Sequence, residues 1–213
     1  MRNFFIALFL TTCLVNGNCQ IADLSNSESQ ALKMRAVQKI KDLQKKLEII
    51  ASKKFSYDQK LVYSDGVKEL FINRGEAVSP CKRRQFCGPV IMQVSSSVNK
   101  KVYRRKLSDY LFKLANLPYS NVEITSANTF NVSEIYASGV DADGDSLFTA
   151  HVDFQQMFRA FGSNGEYQAQ PDITSKKVEI LFKKKSSPID VSYNGRWIVY
   201  LGNISINHTE PFR

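Results

Sequence analysis

Histidine and cysteine are scarce in this sequence, and their scarcity closes off several kinds of chemistry. The 213 residues include two histidines, His151 and His208, and four cysteines. A zinc centre takes about four nitrogen, sulfur or carboxylate ligands, and these residues do not supply such a set. The two-residue Cys-x-x-Cys spacing of a redox dithiol is missing. No internal repeat and no catalytic signature stands out, and no cofactor is implied. After the first fifteen residues no apolar run approaches the about 20 residues needed to cross a bilayer, so no membrane span is expected.

What is present begins at the N-terminus. Met1-Arg2-Asn3 is a short positive segment, and Phe4 to Val15 is an apolar stretch. Asn16-Gly17-Asn18-Cys19 follows, small and polar. This reads as a signal peptide over residues 1–19, cleaved before Gln20. A lipid anchor at Cys19 fits less well, because Asn18 stands where a small residue is wanted. With the leader gone, Cys81 and Cys87 remain, and an even pair in an oxidising compartment is expected to form a disulfide. The expected location is periplasmic or extracellular.

The chain is basic, with a formal charge of +9. Basic proteins attract polyanions. Export argues against nucleic acid and leaves acidic glycans or headgroups as alternatives to a merely solvated surface. Two clusters, Lys82-Arg83-Arg84 and Lys100-Lys101 with Arg104-Arg105-Lys106, would form one cationic patch if the cysteine loop folded near them.

Periodicity supplies the architecture. Residues 20–28 are polar. From 29 to 53, Ala36, Ile40, Leu43, Leu47 and Ile50 recur at helical spacing, on a stripe that would lie on the domain or pair two copies in a homodimer. Ser56 would cap a second helix over 57–72 with Leu61, Val62, Val67, Leu70 and Phe71 inward, and Gly66 as a possible break. A strand over 89–94 and a third helix over 101–117 follow. Beyond Pro118 the period becomes two, with strands at 122–126, 129–136, 147–161, 176–184 and 196–206. Along 147–161, Phe148, Ala150, Val152, Phe154 and Phe158 share one face. Thr149, His151, Asp153, Gln155 and Arg159 share the other. Helices followed by antiparallel strands give an α+β fold, with N-terminal helices on a curved sheet. The organisation expected is a leader at 1–19, a polar start and long helix at 20–56, and the α+β domain at 57–213.

That layout resembles the nuclear-transport-factor-two-like (SnoaL-like) superfamily of cone-shaped α+β folds, and in particular its secreted Gram-negative members. The stretches that carry the resemblance are Tyr110–Tyr119 (YLFKLANLPY), Val122–Ile124, Phe154–Phe158 (FQQMF), Asp172–Ile180 (DITSKKVEI) and Trp197–Ile206 (WIVYLGNISI). It covers about residues 57–207. The resemblance implies a cone that holds a small molecule or a partner. Some such proteins are isomerases, cyclases or dehydratases and others have no catalysis, so function must come from the site.

The enzymes of that superfamily place an Asp, or a His with an Asp, inside the cone. His151 and Asp153 lie two apart on one strand, point to one side, and are the catalytic candidates, although their neighbours on that face are polar. His208 lies near the C-terminus. Asp141, Asp143 and Asp145 alternate along a turn as calcium ligands do, but the glycine of an EF-hand loop is misplaced and its distant Glu is missing, with Val152 at that position, so a polar turn is expected. The expected function is an exported, non-enzymatic binding or accessory domain for a small ligand, a peptide or an envelope protein. The alternatives are an enzyme acting on a small hydrophobic molecule and a structural subunit of an envelope assembly.

Overall fold

Ser25 opens the first helix with a reciprocal cap. Its hydroxyl accepts from the Glu28 N–H, and the Glu28 carboxylate accepts from the Ser25 N–H. Two donors that helix geometry leaves without partners are thereby satisfied. The computed structural model of the protein describes residues 24–79, 81, 86–95, 101–127, 129–141, 143–185 and 197–211. The proposed leader and Lys82, Arg83, Arg84 and Lys100 lie outside the described residues. None of the described helices is long and apolar enough to cross a membrane.

Helix α1 runs Asn26–Ala51 and buries Leu32, Ala36, Ile40, Leu43, Leu47 and Ile50. Steps of three and four keep them on one stripe. The stripe packs into the same core as Val178, Ile180, Phe182, Phe148 and Val152. Burying each large aliphatic side chain contributes about 1.5–3 kcal/mol, so this face of α1 is held by the protein's own sheet. Two α1 side chains also hold a strand: the Ile124 N–H donates to Glu48 Oε1 at 2.6 Å and the Ser126 hydroxyl to Gln44 Oε1 at 3.1 Å.

Helix α2 runs Tyr57–Lys68 from a second capping box, Ser56 with Gln59. It is shorter than the sequence pattern suggests, and its buried stripe differs. Val67 is buried, but Leu61 and Val62 are 49% and 71% exposed. Their place is taken by Lys60, whose stem is buried and whose Nζ donates to the Ala115 carbonyl at 3.0 Å. Gly66 does not break the helix. A Cβ there would meet Lys46 Cε at 3.3 Å, so glycine permits the close approach of α1. After α2 the backbone turns through Asn73, Arg74 and Gly75, all at positive φ. Gly75 is required, since a Cβ would lie 2.4 Å from Leu107 Cδ2.

The remaining elements are β1 (Ile91–Val94), β2 (Tyr103–Lys106), α3 (Leu107–Ala115), β3 (Asn121–Ser126), β4 (Asn131–Val132), β5 (Tyr136–Val140), β6 (Ser146–Phe161), β7 (Tyr167–Lys184) and β8 (Trp197–Pro211). They form one sheet in the order β2-β1-β8-β7-β6-β3, with β4 and β5 also on β6. All pairings are antiparallel except β1 with β8. This is the α+β arrangement of helices on a curved sheet.

One expectation fails at β2. Residues 101–106 are not the start of a helix; Tyr103–Lys106 pairs with β1. The helix begins at Leu107, where the stripe Leu107, Leu111, Leu114 begins. No side chain caps it, so the sequence carries no start signal there. As the sheet edge, β2 gains from Arg104, Arg105 and Lys106, because charge discourages edge-to-edge pairing.

Candidate functional site

The helix-bearing face of the sheet is not fully covered. α1 takes one part, and α3 spans another without filling the space beneath it. A cavity of about 370 Å³ lies between α3, β1, β2 and the outer half of the β6–β7 hairpin. Leu114, Leu117, Ile124, Phe158 and Ile206 form its apolar wall. The hairpin turns at Ser163-Asn164-Gly165, as the sequence suggests.

Strand parity sets the polar groups. Asp172, Thr174 and Lys176 are two apart on β7 and so face one side. All three line the cavity, with Gln156 of β6 opposite Thr174. Thr174 Oγ1 accepts from the Thr209 hydroxyl at 3.2 Å, and Thr209 in turn contacts the hydroxyl of Ser95, another lining residue. Tyr110 and Tyr119 supply two rings, and Tyr119 meets Phe158 edge-on at 6.4 Å. Burial pushes the Tyr110 phenol up to about 12, so it is a neutral donor at ordinary pH.

Lys176 differs from every other charged group there. Its cross-strand neighbours are Phe154 on β6 and Ile206 on β8, both apolar. Among the described residues its ammonium has no ion pair or hydrogen bond. Burial alone, with no charged neighbour contributing, holds its pKa down at about 8. Arg105 and the exposed Lys113 also line the cavity, and Arg105 stacks on the Tyr103 ring at 5.5 Å.

The aspartate turn lies on the other face of the sheet. Asp141 Oδ1 accepts from the N–H groups of Asp143 and Asp145, and the three carboxylates lie within 4.8 Å of one another. The cation among them is Lys183, with Nζ 2.6 Å from Asp141, 3.0 Å from Asp145 and 3.5 Å from Asp143. Burial opposes the Lys183 charge, but hydrogen bonds to Asp141 and Asp145 outweigh it and hold the ammonium above its usual range. For Asp141, burial is likewise overcome by Lys183 and two backbone N–H groups, which hold the carboxyl below its usual range. These carboxylates already share an internal ammonium.

The other candidates are dispersed. His151 is exposed and faces Glu179 across the strands, and Asp153 faces Lys177; both point away from the cavity. His208 stands in β8, 3.8 Å from Glu210 and exposed, so it belongs to a strand and not to a loose terminus. Arg104 and Arg105 are adjacent on a strand and so face opposite sides, the first exposed and the second half-buried. Whether Lys82, Arg83 and Arg84 join Arg104 lies outside the described residues. The expected disulfide is present between Cys81 and Cys87, with Cα atoms 5.4 Å apart. Lys176 is not among the sequence candidates, although strand parity carries a signal for it. Val178, Ile180 and Phe182 continue its register on the apolar face.

No family model and no curated protein matches the chain. Among solved structures it is similar to a hexachlorocyclohexane dehydrochlorinase (LinA) of type 2, at 13% identity over 87% of this chain and 94% of that one, with a TM-score of 0.35. So distant a likeness adds nothing to what the strands and helices already establish, and the cavity is read from its own residues.

Proposed function

We propose that this chain is an exported, non-enzymatic binding domain that takes a small, mainly apolar molecule into the cavity under α3. The observation that carries the reading is the cavity itself. At about 370 Å³ it falls within the usual range for ligand pockets, about 300–1,000 Å³, and it joins an apolar wall to a few convergent polar groups. Export is supported by the leader-like first nineteen residues and by the Cys81–Cys87 bridge, a bond favoured in oxidising compartments. The sequence resemblance, which implies a cone that holds a small molecule or a partner, supports the same reading.

The experiment is a titration with 1-anilinonaphthalene-8-sulfonate. One molar equivalent is expected to bind with enhanced fluorescence. Ile206→Trp, which fills the cavity from β8, should weaken binding at least tenfold, while Leu61→Trp on the exposed face of α2 should not. Equal binding by all three proteins would overturn the reading. An enzyme acting on a small hydrophobic molecule is the second reading, favoured by Asp172 and Lys176 lining one cavity. It requires turnover that Lys176→Met abolishes.

A further inference from the structure

The charges around the cavity are unequal in sign. Among the described residues, Arg105 of β2, Lys113 of α3 and Lys176 of β7 line it, against one lining carboxylate, Asp172. Tyr110 and Tyr119 are the other described titratable residues that face it. Lys113 is exposed at the rim, and Arg105 is half-buried. Lys176 alone stands between two apolar cross-strand neighbours, Phe154 and Ile206.

An ammonium withdrawn from water without a counter-ion is unfavourable, and proteins normally pair it. Here no described residue supplies a pair. We propose that the ligand supplies it: the cavity binds an amphipathic monocarboxylate, whose apolar body lies on Leu114, Leu117, Phe158 and Ile206 and whose carboxylate pairs with the Lys176 ammonium. Thr174 and Gln156, adjacent on the same face, are placed to donate to the second carboxylate oxygen. The inference rests on the reading of this cavity as a ligand site.

Because burial brings the free amine to about 8, carboxylate binding should depend on pH where a surface lysine would not. Raising the pH through about 8 neutralises Lys176 and removes the attraction. Tyr110, at about 12, stays neutral over that interval.

The test compares decanoate with its uncharged amide, decanamide, by calorimetry on the full chain. At pH 7 decanoate should bind at least tenfold more tightly, and by pH 9.5 that preference should have largely gone. Lys176→Met should abolish the preference while retaining decanamide. Lys176→Arg, whose charge does not titrate, should keep it at pH 9.5, and Lys113→Met should leave it nearly intact. Equal binding of the two ligands to the wild type would overturn the inference and leave the cavity reading standing. Binding of neither, together with failure of the naphthalene probe, would overturn both. A preference unchanged in Lys176→Met would place the anion elsewhere and refute the role of Lys176.

Discussion

Two lysines on one strand meet opposite fates. Lys176 and Lys183 both belong to β7, seven residues apart, and an odd separation puts them on opposite faces of the sheet. Lys183 sits among three aspartates at 2.6–3.5 Å, and its charge is stabilised above the ordinary lysine range. Lys176 sits between a phenylalanine and an isoleucine, and its charge is destabilised. The same side chain is structural where the protein completes its electrostatics and available where it does not. Functional sites are places where burial perturbs a titratable group. The contrast between the two faces therefore says more than either lysine alone.

The comparison breaks most forcefully at Lys183. Lys183→Met leaves three carboxylates crowded and partly buried, and stability should fall by about 3–5 kcal/mol, read as a lower urea midpoint at pH 7. The deficit should shrink in acid. Asp141 is held below its usual range by Lys183, so its stabilisation is present above the ordinary carboxylate pKa and is lost as pH falls through the folded value. A loss that persists undiminished at pH 2 would mean that Lys183 acts by packing alone.

Lys176→Met should do the reverse. Below pH 8 the folded protein carries a half-buried charge with no partner among the described residues, which the unfolded chain solvates freely. Removing it should stabilise by about 1–2 kcal/mol, less than the full shift implies because the residue is only half-buried. The unfolded state binds more protons between about 8 and the ordinary lysine value, so wild-type stability rises with pH there and the mutant's advantage fades. A drop in melting temperature at pH 7 would instead make Lys176 a packing residue. The capping box gives an intermediate control: Ser25→Ala should lower stability by about 1 kcal/mol on either background. The smallest effects belong to the outward face. His151→Ala and Asp153→Asn should each shift stability by less than about 0.5 kcal/mol and leave probe binding unchanged.

Much of this architecture is legible in the sequence because it rests on periodicity. The stripe Ala36, Ile40, Leu43, Leu47, Ile50 is buried as its spacing suggests, and the alternation along β6 assigns Phe148, Ala150, Val152 and Phe154 to the core. The Cys81–Cys87 disulfide is present, as the even pair in the sequence suggests. Legibility fails where tertiary context overrides local pattern. Leu61 and Val62 look like core residues, but the buried stripe runs through Lys60 and Val67, because Lys60 can reach a carbonyl of α3 with its stem covered. Residues 103–106 look helical because α3 has no cap to announce its start. Lys176 was hidden by its type. A lysine in a basic protein reads as surface, and only its register with Val178, Ile180 and Phe182 says otherwise. Lys183 stands in a run with Lys184 and Lys185 of the kind that marks a solvated strand end, and its aspartate partners are distant in sequence and come near only through the pairing of β6 with β7.

The most direct test of the account is the titration of the lysine Nζ groups by NMR in the free protein. One lysine resonance should titrate with a midpoint near 8 and vanish in Lys176→Met, while a second, absent in Lys183→Met, should remain protonated beyond the ordinary lysine range. If every lysine titrates at the ordinary value, Lys176 is solvated and the contrast between the two faces does not exist.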